Sequence, residues 1–140
     1  RLDELQAAIL RVKLKRLAAD NARRAAIAAV YDAALEGTGL EWPLRRTGAG
    51  HVFHQYVVAS DRRDALRSAL EAEGIGSNIH YPLPIHLQPA ARDLGCKPGD
   101  YPNTERQAGR ILTLPIHQGL KPDQIRLVAE AVNSFYKVAG

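Results

Sequence analysis

The residues best suited to chemistry lie in one short segment, 79–86, which reads IHYPLPIH. Its last four letters, LPIH, occur again at 114–117. Histidine and tyrosine both donate and accept hydrogen bonds, and each proline disfavours helix at the residue before it. A rigid corner that carries His80 and Tyr81 would suit a polar ligand such as a sugar. The same spacing fits a proline-rich turn that only ends a strand, so both interpretations stay open at this point.

Metal binding and cysteine chemistry are both disfavoured by the residue types present. The five histidines are His51, His54, His80, His86 and His117. No cysteine pair or HExxH pattern accompanies them, and we interpret His51 and His54 as structural. The single cysteine, Cys96, lies in a loop rich in glycine and proline, with nothing that marks it as an activated nucleophile. We therefore predict neither a metal site nor a cysteine nucleophile.

A long helix is predicted to come first in the chain. Residues 2–36 have apolar side chains at helical spacing, and no glycine or proline occurs before Gly37. A helix this long is expected to bend, and Asp20–Asn21 is the predicted position. Its basic residues, among them Arg23 and Arg24, are interpreted as the solvated face of the helix.

The rest of the chain alternates strand, helix and turn signals. The predicted elements are a strand at 52–59, a helix capped by Asp61 and ended by Gly74, a short strand at 77–80, an extended segment at 81–84, a short helix at 87–94, a helix from the cap Asn103 to about Arg110, a strand at 111–114, and a last helix from Pro122. The predicted core is Phe53, Val57, Leu66, Leu70, Ile79, Leu112, Leu114, Val128 and Val132. The fold class is α+β: a long N-terminal helix (1–36) followed by a small domain (37–140) whose mixed sheet is covered by helices.

Composition and charge narrow the classes of partner. The 140 residues carry a formal net charge of +4, but the basic residues are scattered and do not alternate with aromatic ones, so no nucleic-acid partner is expected. No apolar run approaches the roughly 18 residues of a membrane span, so no membrane partner is expected either. With one cysteine and no signal-peptide pattern, the expected location is the cytoplasm.

The start of the chain suggests a piece of a longer protein. The sequence contains no methionine, and its first residues already have helical spacing, so we expect that an N-terminal region is missing. In isolation the helix should expose the row Leu5, Ile9 and Val12 and should therefore self-associate.

Several blocks of the sequence carry a resemblance to a known family. They are RLDELQAAILRVKL, RRAAIAAVYDAAL, HVFHQYVV, RDALRSALEAEGIGSNIHYPLPIH and YPNTERQAGRILTLPIH. In order and spacing they strongly resemble the C-terminal part of the DegT/DnrJ/EryC1/StrS family, which consists of pyridoxal-phosphate sugar aminotransferases of the aspartate aminotransferase fold, type I. The most specific blocks are GI-x-x-x-IHYP, the helix start PxTE, and LPIH before the last helix.

This resemblance implies an activity and a cofactor. Such enzymes act as homodimers and move an amino group, usually from glutamate, onto a keto-sugar attached to a nucleotide, with pyridoxal phosphate as the electron sink. The family's cofactor lysine and its partner aspartate lie upstream of the matched region. None of the lysines here, Lys13, Lys15, Lys97, Lys121 and Lys137, stands in that motif, so no catalytic residue is assigned and the chain alone is expected to be inactive.

The resemblance also assigns site residues. His80 and Tyr81 match the pair that lines the sugar-nucleotide pocket, and His86 matches a histidine a few residues further on. Arg1 matches an arginine at a corner that reaches the cofactor of the neighbouring subunit, which makes it a predicted cofactor-binding residue. His117 matches a position interpreted as structural.

Two other functions stay open on the sequence. Relatives that dehydrate sugars replace the cofactor lysine with histidine, and that position is not in this chain. A truncated, non-catalytic module that binds a partner through the long helix is the second alternative.

Overall fold

The computed structural model describes residues 2–137 and confirms the α+β class. Its elements are α1 (Glu4–Leu14), α2 (Leu17–Leu35), β1 (Tyr56–Ala59), α3 (Arg63–Ala72), two 3₁₀ turns (Ile85–Leu87 and Pro89–Leu94), α4 (Pro102–Arg110), β2 (Ile111–Leu114) and α5 (Pro122–Lys137). No described helix is both long enough and apolar enough to span a membrane.

The long N-terminal helix is broken earlier than predicted. The break falls at Lys15 and Arg16, between α1 and α2, and not at Asp20–Asn21. Asp20 instead lies in the first turn of α2, where a carboxylate interacts favourably with the helix dipole. The two halves differ in packing, because α1 buries no residue whereas α2 buries four, among them Tyr31 and Leu35.

The sheet is small and antiparallel in the described residues. Tyr56 of β1 pairs with Leu114 of β2, and an isolated antiparallel bridge joins Asn78 to Thr113 on the other edge of β2. The strand predicted at 77–80 is thus reduced to this bridge. The predicted mixed sheet is a two-stranded antiparallel one.

The strand predicted at 52–59 begins only at Tyr56, and this shift changes which side chains are buried. Phe53 has a φ of 47°, so the backbone leaves the extended region there. Tyr56 and Val58 then face the core, with 3% and 0% exposure, whereas Val57 is only half-buried. The prediction of Val57 as a core residue was wrong, because successive strand residues point to opposite faces.

The core lies where α2, α3 and α5 pack on one face of the sheet. Phe53, Leu66, Leu70, Leu112, Leu114, Val128 and Val132 are buried as predicted. Ile79 is only partly buried and packs against this cluster.

Two helix starts differ from the predicted caps. The residue before α3 is Arg62, whose amide donates to Ser60 Oγ (3.0 Å), while Asp61 accepts from Arg110 (2.6 Å). The helix predicted from Asn103 begins at Pro102, because proline fits the first helical position. Gly74, with a φ of 71°, ends the turn after α3 as predicted.

Arg23 is exposed as predicted, whereas Arg24 is half-buried, and both arginines bond backbone carbonyls. Arg23 donates to the carbonyl of Leu120 (3.0 Å), and Arg24 donates to those of Phe53 (3.0 Å) and Ile116 (3.1 Å). Both arginines therefore tie α2 to the loops that surround the sheet.

Candidate functional site

His80 is held at the edge of the sheet by a side chain of β2. Its Nδ1 lies 2.9 Å from the hydroxyl oxygen of Thr113. Because Leu112 and Leu114 point into the core, Thr113 projects from the opposite face of the strand. The bridge between Asn78 and Thr113 brings the histidine segment alongside β2, which explains how the two side chains meet.

Two clefts share His80. The first, of about 480 Å³, is lined by His54, Asn78, Thr113 and Ile116 among others. The second, of about 400 Å³, lies between the 80–85 segment and α4, and Tyr81 forms part of its wall.

The sequence-predicted pair is therefore brought together. The rings of His80 and Tyr81 meet edge to face, with centroids 5.5 Å apart. Tyr81 is 70% exposed, so its hydroxyl is accessible to a ligand. In the second cleft α4 contributes neutral polar side chains, Asn103, Thr104 and Gln107. Donors and acceptors without charge are suited to hydroxyl and amide groups of a ligand.

His86, the third predicted residue, lies elsewhere. It lines neither cleft that contains His80. Its side chain is 9% exposed, and its Nε2 lies 3.0 Å from Glu105. The ring of Tyr101 packs against it, with centroids 4.7 Å apart. The structure thus places His86 in a contact between the 3₁₀ turn and α4.

Glu105 fastens the loop that precedes α4. Its carboxylate accepts hydrogen bonds from the amides of Gly99 (2.9 Å) and Tyr101 (3.2 Å) as well as bonding His86. The Gly99 amide, with smaller contributions from His86 and Tyr101, lowers the pKa of Glu105 against the opposing effect of burial. The ionised carboxylate is therefore the form that holds the loop.

The remaining histidines are on the surface. His51 Nδ1 accepts from the Phe53 amide (3.0 Å), and His117 Nδ1 accepts from the Gly119 amide (3.2 Å). Both bonds fix local turns. The second copy of LPIH therefore ends β2 and begins a turn, while the first copy lines the second cleft.

Sequence reasoning missed Thr113 and Glu105. Thr113 is the one polar residue in the strand ILTL, and Glu105 is the acidic residue of the PxTE block. Each was visible as a polar residue in a fixed motif. Their bonding partners, His80 and His86, lie 33 and 19 residues away, and the sequence did not show that these side chains would meet.

Neither cleft beside His80 fits pyridoxal phosphate by itself, because that cofactor is held through a lysine amine and no lysine or aspartate lines either cleft. Arg1 lies outside the described residues. Within residues 2–137, no group of three or more His, Cys, Asp or Glu side chains is arranged to hold a metal ion.

Comparison with known proteins identifies the family. The profile of the DegT/DnrJ/EryC1/StrS aminotransferase family matches residues 1–133. A "Pleiotropic regulatory protein" from Geobacillus stearothermophilus is 41% identical over 98% of the chain, and a dTDP-3-amino-3,4,6-trideoxy-alpha-D-glucose transaminase from Streptomyces venezuelae is 41% identical over 96%. The crystal structure of S. venezuelae DesV in complex with a ketimine intermediate superposes with a TM-score of 0.94, at 40% identity over 98% of the chain.

These similarities cover only part of each relative. The chain spans 38% and 36% of the two curated relatives and 37% of the DesV chain. The blocks that carried the resemblance lie in order within the matched range. The chain belongs to the DegT/DnrJ/EryC1/StrS aminotransferase family.

Proposed function

We propose that this chain is the C-terminal part of a pyridoxal-phosphate-dependent aminotransferase that transfers an amino group from glutamate to a nucleotide-linked keto-sugar. The observation that carries the proposal is the corner formed by His80 and Tyr81 beside two clefts, in a chain that matches sugar transaminases over nearly its whole length. In this proposal the chain forms one wall of the substrate site.

The proposal assigns different roles to this chain and to the rest of the enzyme. In this proposal the cofactor lysine and its partner aspartate belong to the preceding, larger part of the enzyme, as the family resemblance implies, and the clefts beside His80 contain neither residue type. Residues 1–36 link that part to the small domain at 37–140. The chain alone is inactive, and the complete enzyme works as a cytoplasmic homodimer in which Arg1 contacts the neighbour's cofactor.

The wall recognises the ligand mainly by hydrogen bonds. His80 and Tyr81 supply a ring nitrogen and a hydroxyl, and Asn103 and Gln107 supply amides. The amide groups carry no charge, so they suit the oxygen-rich surface of a sugar nucleotide. His86 acts differently: through Glu105 it holds the loop before α4.

Steady-state kinetics of the full-length enzyme test whether His80 and Tyr81 contact the nucleotide keto-sugar. His80→Ala and Tyr81→Phe should each raise the KM for the nucleotide keto-sugar about three- to tenfold, because each removes about one hydrogen bond. The KM for glutamate and the absorbance of the bound cofactor should stay at wild-type values, since neither residue belongs to the cofactor site.

A matched control separates the wall from the rest of the surface. Tyr101→Phe removes a hydroxyl from a ring that packs on His86 outside both clefts, and it should leave all kinetic constants unchanged. Wild-type kinetics in both the His80 and the Tyr81 variant would overturn the substrate-wall assignment.

A second candidate function, that of a non-catalytic binding module, is favoured by one observation. A relative with 41% identity carries the name of a regulatory protein, not of an enzyme. The coding sequence upstream of the Arg1 codon separates the candidates. A lysine at the cofactor position supports the transaminase, a histidine there indicates a dehydratase, and a stop codon followed by a nearby start indicates a non-catalytic binding module.

A further inference from the structure

We infer that Thr113 is a positioning residue for the substrate wall. Its hydroxyl fixes both the orientation and the neutral tautomer of His80, so that Nε2 carries the proton and donates to the ligand. The inference rests on the proposed function, in which His80 contacts the nucleotide sugar.

The Thr113 hydroxyl occupies a rigid position. The residue is 9% exposed, and its backbone is bonded to Asn78 in both directions: the Thr113 amide donates to Asn78 O (2.7 Å), and the Asn78 amide donates to Thr113 O (3.2 Å). On the other side it pairs with Val57 in the ladder of β1 and β2. A hydroxyl anchored by two neighbouring segments can orient a ring that lies only two residues beyond one of them.

Hydrogen-bond satisfaction decides which atom donates. Within residues 2–137, the Thr113 hydroxyl has His80 Nδ1 as its one partner, at 2.9 Å. If the ring carried its proton on Nδ1, that proton would point at the hydroxyl, and the hydroxyl proton would be left without an acceptor in a buried position. An unsatisfied buried donor is costly, so the hydroxyl donates and Nδ1 accepts.

The consequence for the site lies at the other ring nitrogen. With Nδ1 as the acceptor, neutral His80 must carry its proton on Nε2. Among the described residues no partner bonds Nε2, and the ring lines both clefts. His80 therefore offers a donor to an oxygen of the ligand, and nucleotide sugars present phosphate, carbonyl and hydroxyl oxygens.

Two substitutions in the full-length enzyme test this role. Thr113→Val keeps the branched shape that suits a strand and removes the hydroxyl, so it should raise the KM for the nucleotide keto-sugar about fivefold while kcat changes less than twofold. Thr113→Ser keeps the hydroxyl and should restore KM to within about twofold of wild type.

The tautomer itself is measured by NMR of enzyme labelled with ¹⁵N-histidine. The His80 signals are assigned because they are missing from the spectrum of the His80→Gln variant. The wild type should show Nδ1 as the unprotonated nitrogen, and Thr113→Val should shift His80 toward a mixture of the two tautomers. Thr38→Val is the matched control. Its hydroxyl donates to Leu35 O (2.7 Å) and the residue lines neither cleft, so its loss should lower Tm without changing KM or the His80 signals.

The outcomes separate this inference from the proposed function. Absence of transamination in the wild type would overturn the proposed function, while the NMR comparison would still decide the role of Thr113. An unchanged His80 tautomer in Thr113→Val, or the same nucleotide-sugar affinity in the wild type and that variant, would overturn the inference. A Thr113→Ser enzyme as impaired as Thr113→Val would also overturn it, because a bond made by the hydroxyl would then not be the cause.

Discussion

Arg24 connects α2 to two of the segments that border the first cleft. Its guanidinium donates to the carbonyls of Phe53 and Ile116 and to Gln118 Oε1 (3.1 Å). These loops lie next to the strand ends, where backbone carbonyls have no partner in the sheet. One charged side chain thus satisfies acceptors from two segments at once.

Replacing Arg24 should therefore destabilise the protein more than replacing an ordinary exposed arginine on a helix. Arg24→Met keeps an unbranched, helix-favouring side chain but leaves the carbonyls without their donor, at a cost on the order of 2 kcal/mol. We expect the Tm of the full-length protein to fall by several degrees. Arg67→Met on α3 is the control, since that arginine is exposed and should change Tm little. Equal melting temperatures for the two variants would show that the Arg24 bonds contribute nothing.

Side-chain roles were the part of the molecule that the sequence predicted least well. Arg23 and Arg24 stand among alanines on a helix, a pattern that equally describes a solvated face. In the run YVVA, four adjacent apolar residues show no alternation, so the pattern did not reveal that Val57 faces away from the core. Bonds such as that between Thr113 and His80 depend on tertiary structure and leave no local periodicity.

At the scale of elements, α2 is locked to the end of β2 by a buried tyrosine. Tyr31 is fully buried, its ring packs on that of Tyr56 with centroids 5.0 Å apart, and its hydroxyl donates to Pro115 O (2.9 Å). Asp32, next along the helix, accepts from the Tyr56 hydroxyl (2.8 Å) and from Arg45. The contact between helix and strand thus combines apolar burial with satisfied polar groups.

Burial of Tyr31 makes this contact sensitive to alkaline pH. Burial raises the pKa of Tyr31 from 10.0 to about 12. A group whose pKa is raised on folding contributes stability that is complete below pH 10 and is lost as pH rises toward 12. Tyr31→Phe removes the titrating group and one hydrogen bond. The variant should therefore be less stable than wild type by about 1 kcal/mol at pH 7, and this difference should shrink or reverse near pH 12.

Urea unfolding of the full-length protein at pH 7, 10 and 11.5 measures this change. Tyr101→Phe, at a ring that is 51% exposed, is the matched control, and its difference from wild type should not vary over the same range. A constant difference between wild type and Tyr31→Phe at all three values would contradict the assigned coupling between ionisation and folding.

Helices with a clear hydrophobic periodicity were predicted well, whereas irregular segments and turns were not. The last helix predicted from Pro122 is present as α5, and its predicted core residues Val128 and Val132 are buried. The segment predicted as a helix at 87–94 instead belongs to two 3₁₀ turns, and Pro89 is the first residue of the second turn. The break in the first helix was misplaced because Asp20 is a poor helix former in the interior of a helix but a good one in its first turn.

At the scale of the whole molecule, α1 is the feature that packing within the chain does not explain. It buries no residue, and Leu5, Ile9 and Val12 are 71%, 52% and 66% exposed. Contiguous apolar surface of this kind is uncommon on monomeric proteins and typically marks an interface. The predicted exposure of this row is confirmed.

The isolated chain should consequently self-associate, and changes on this face should reduce the association. Burying the row on association is favourable by roughly 25 cal/mol per Å² of apolar surface removed from water. A carboxylate placed in the row makes this burial unfavourable. We expect sedimentation velocity to show concentration-dependent oligomers or aggregates for the isolated chain, and a shift toward monomer for Leu5→Asp combined with Ile9→Asp. Leu44→Asp is the matched control: Leu44 is 94% exposed, lies in a loop outside α1, and should leave the oligomers unchanged. A monomeric wild-type chain, or an equal response to the control, would mean that α1 does not drive association.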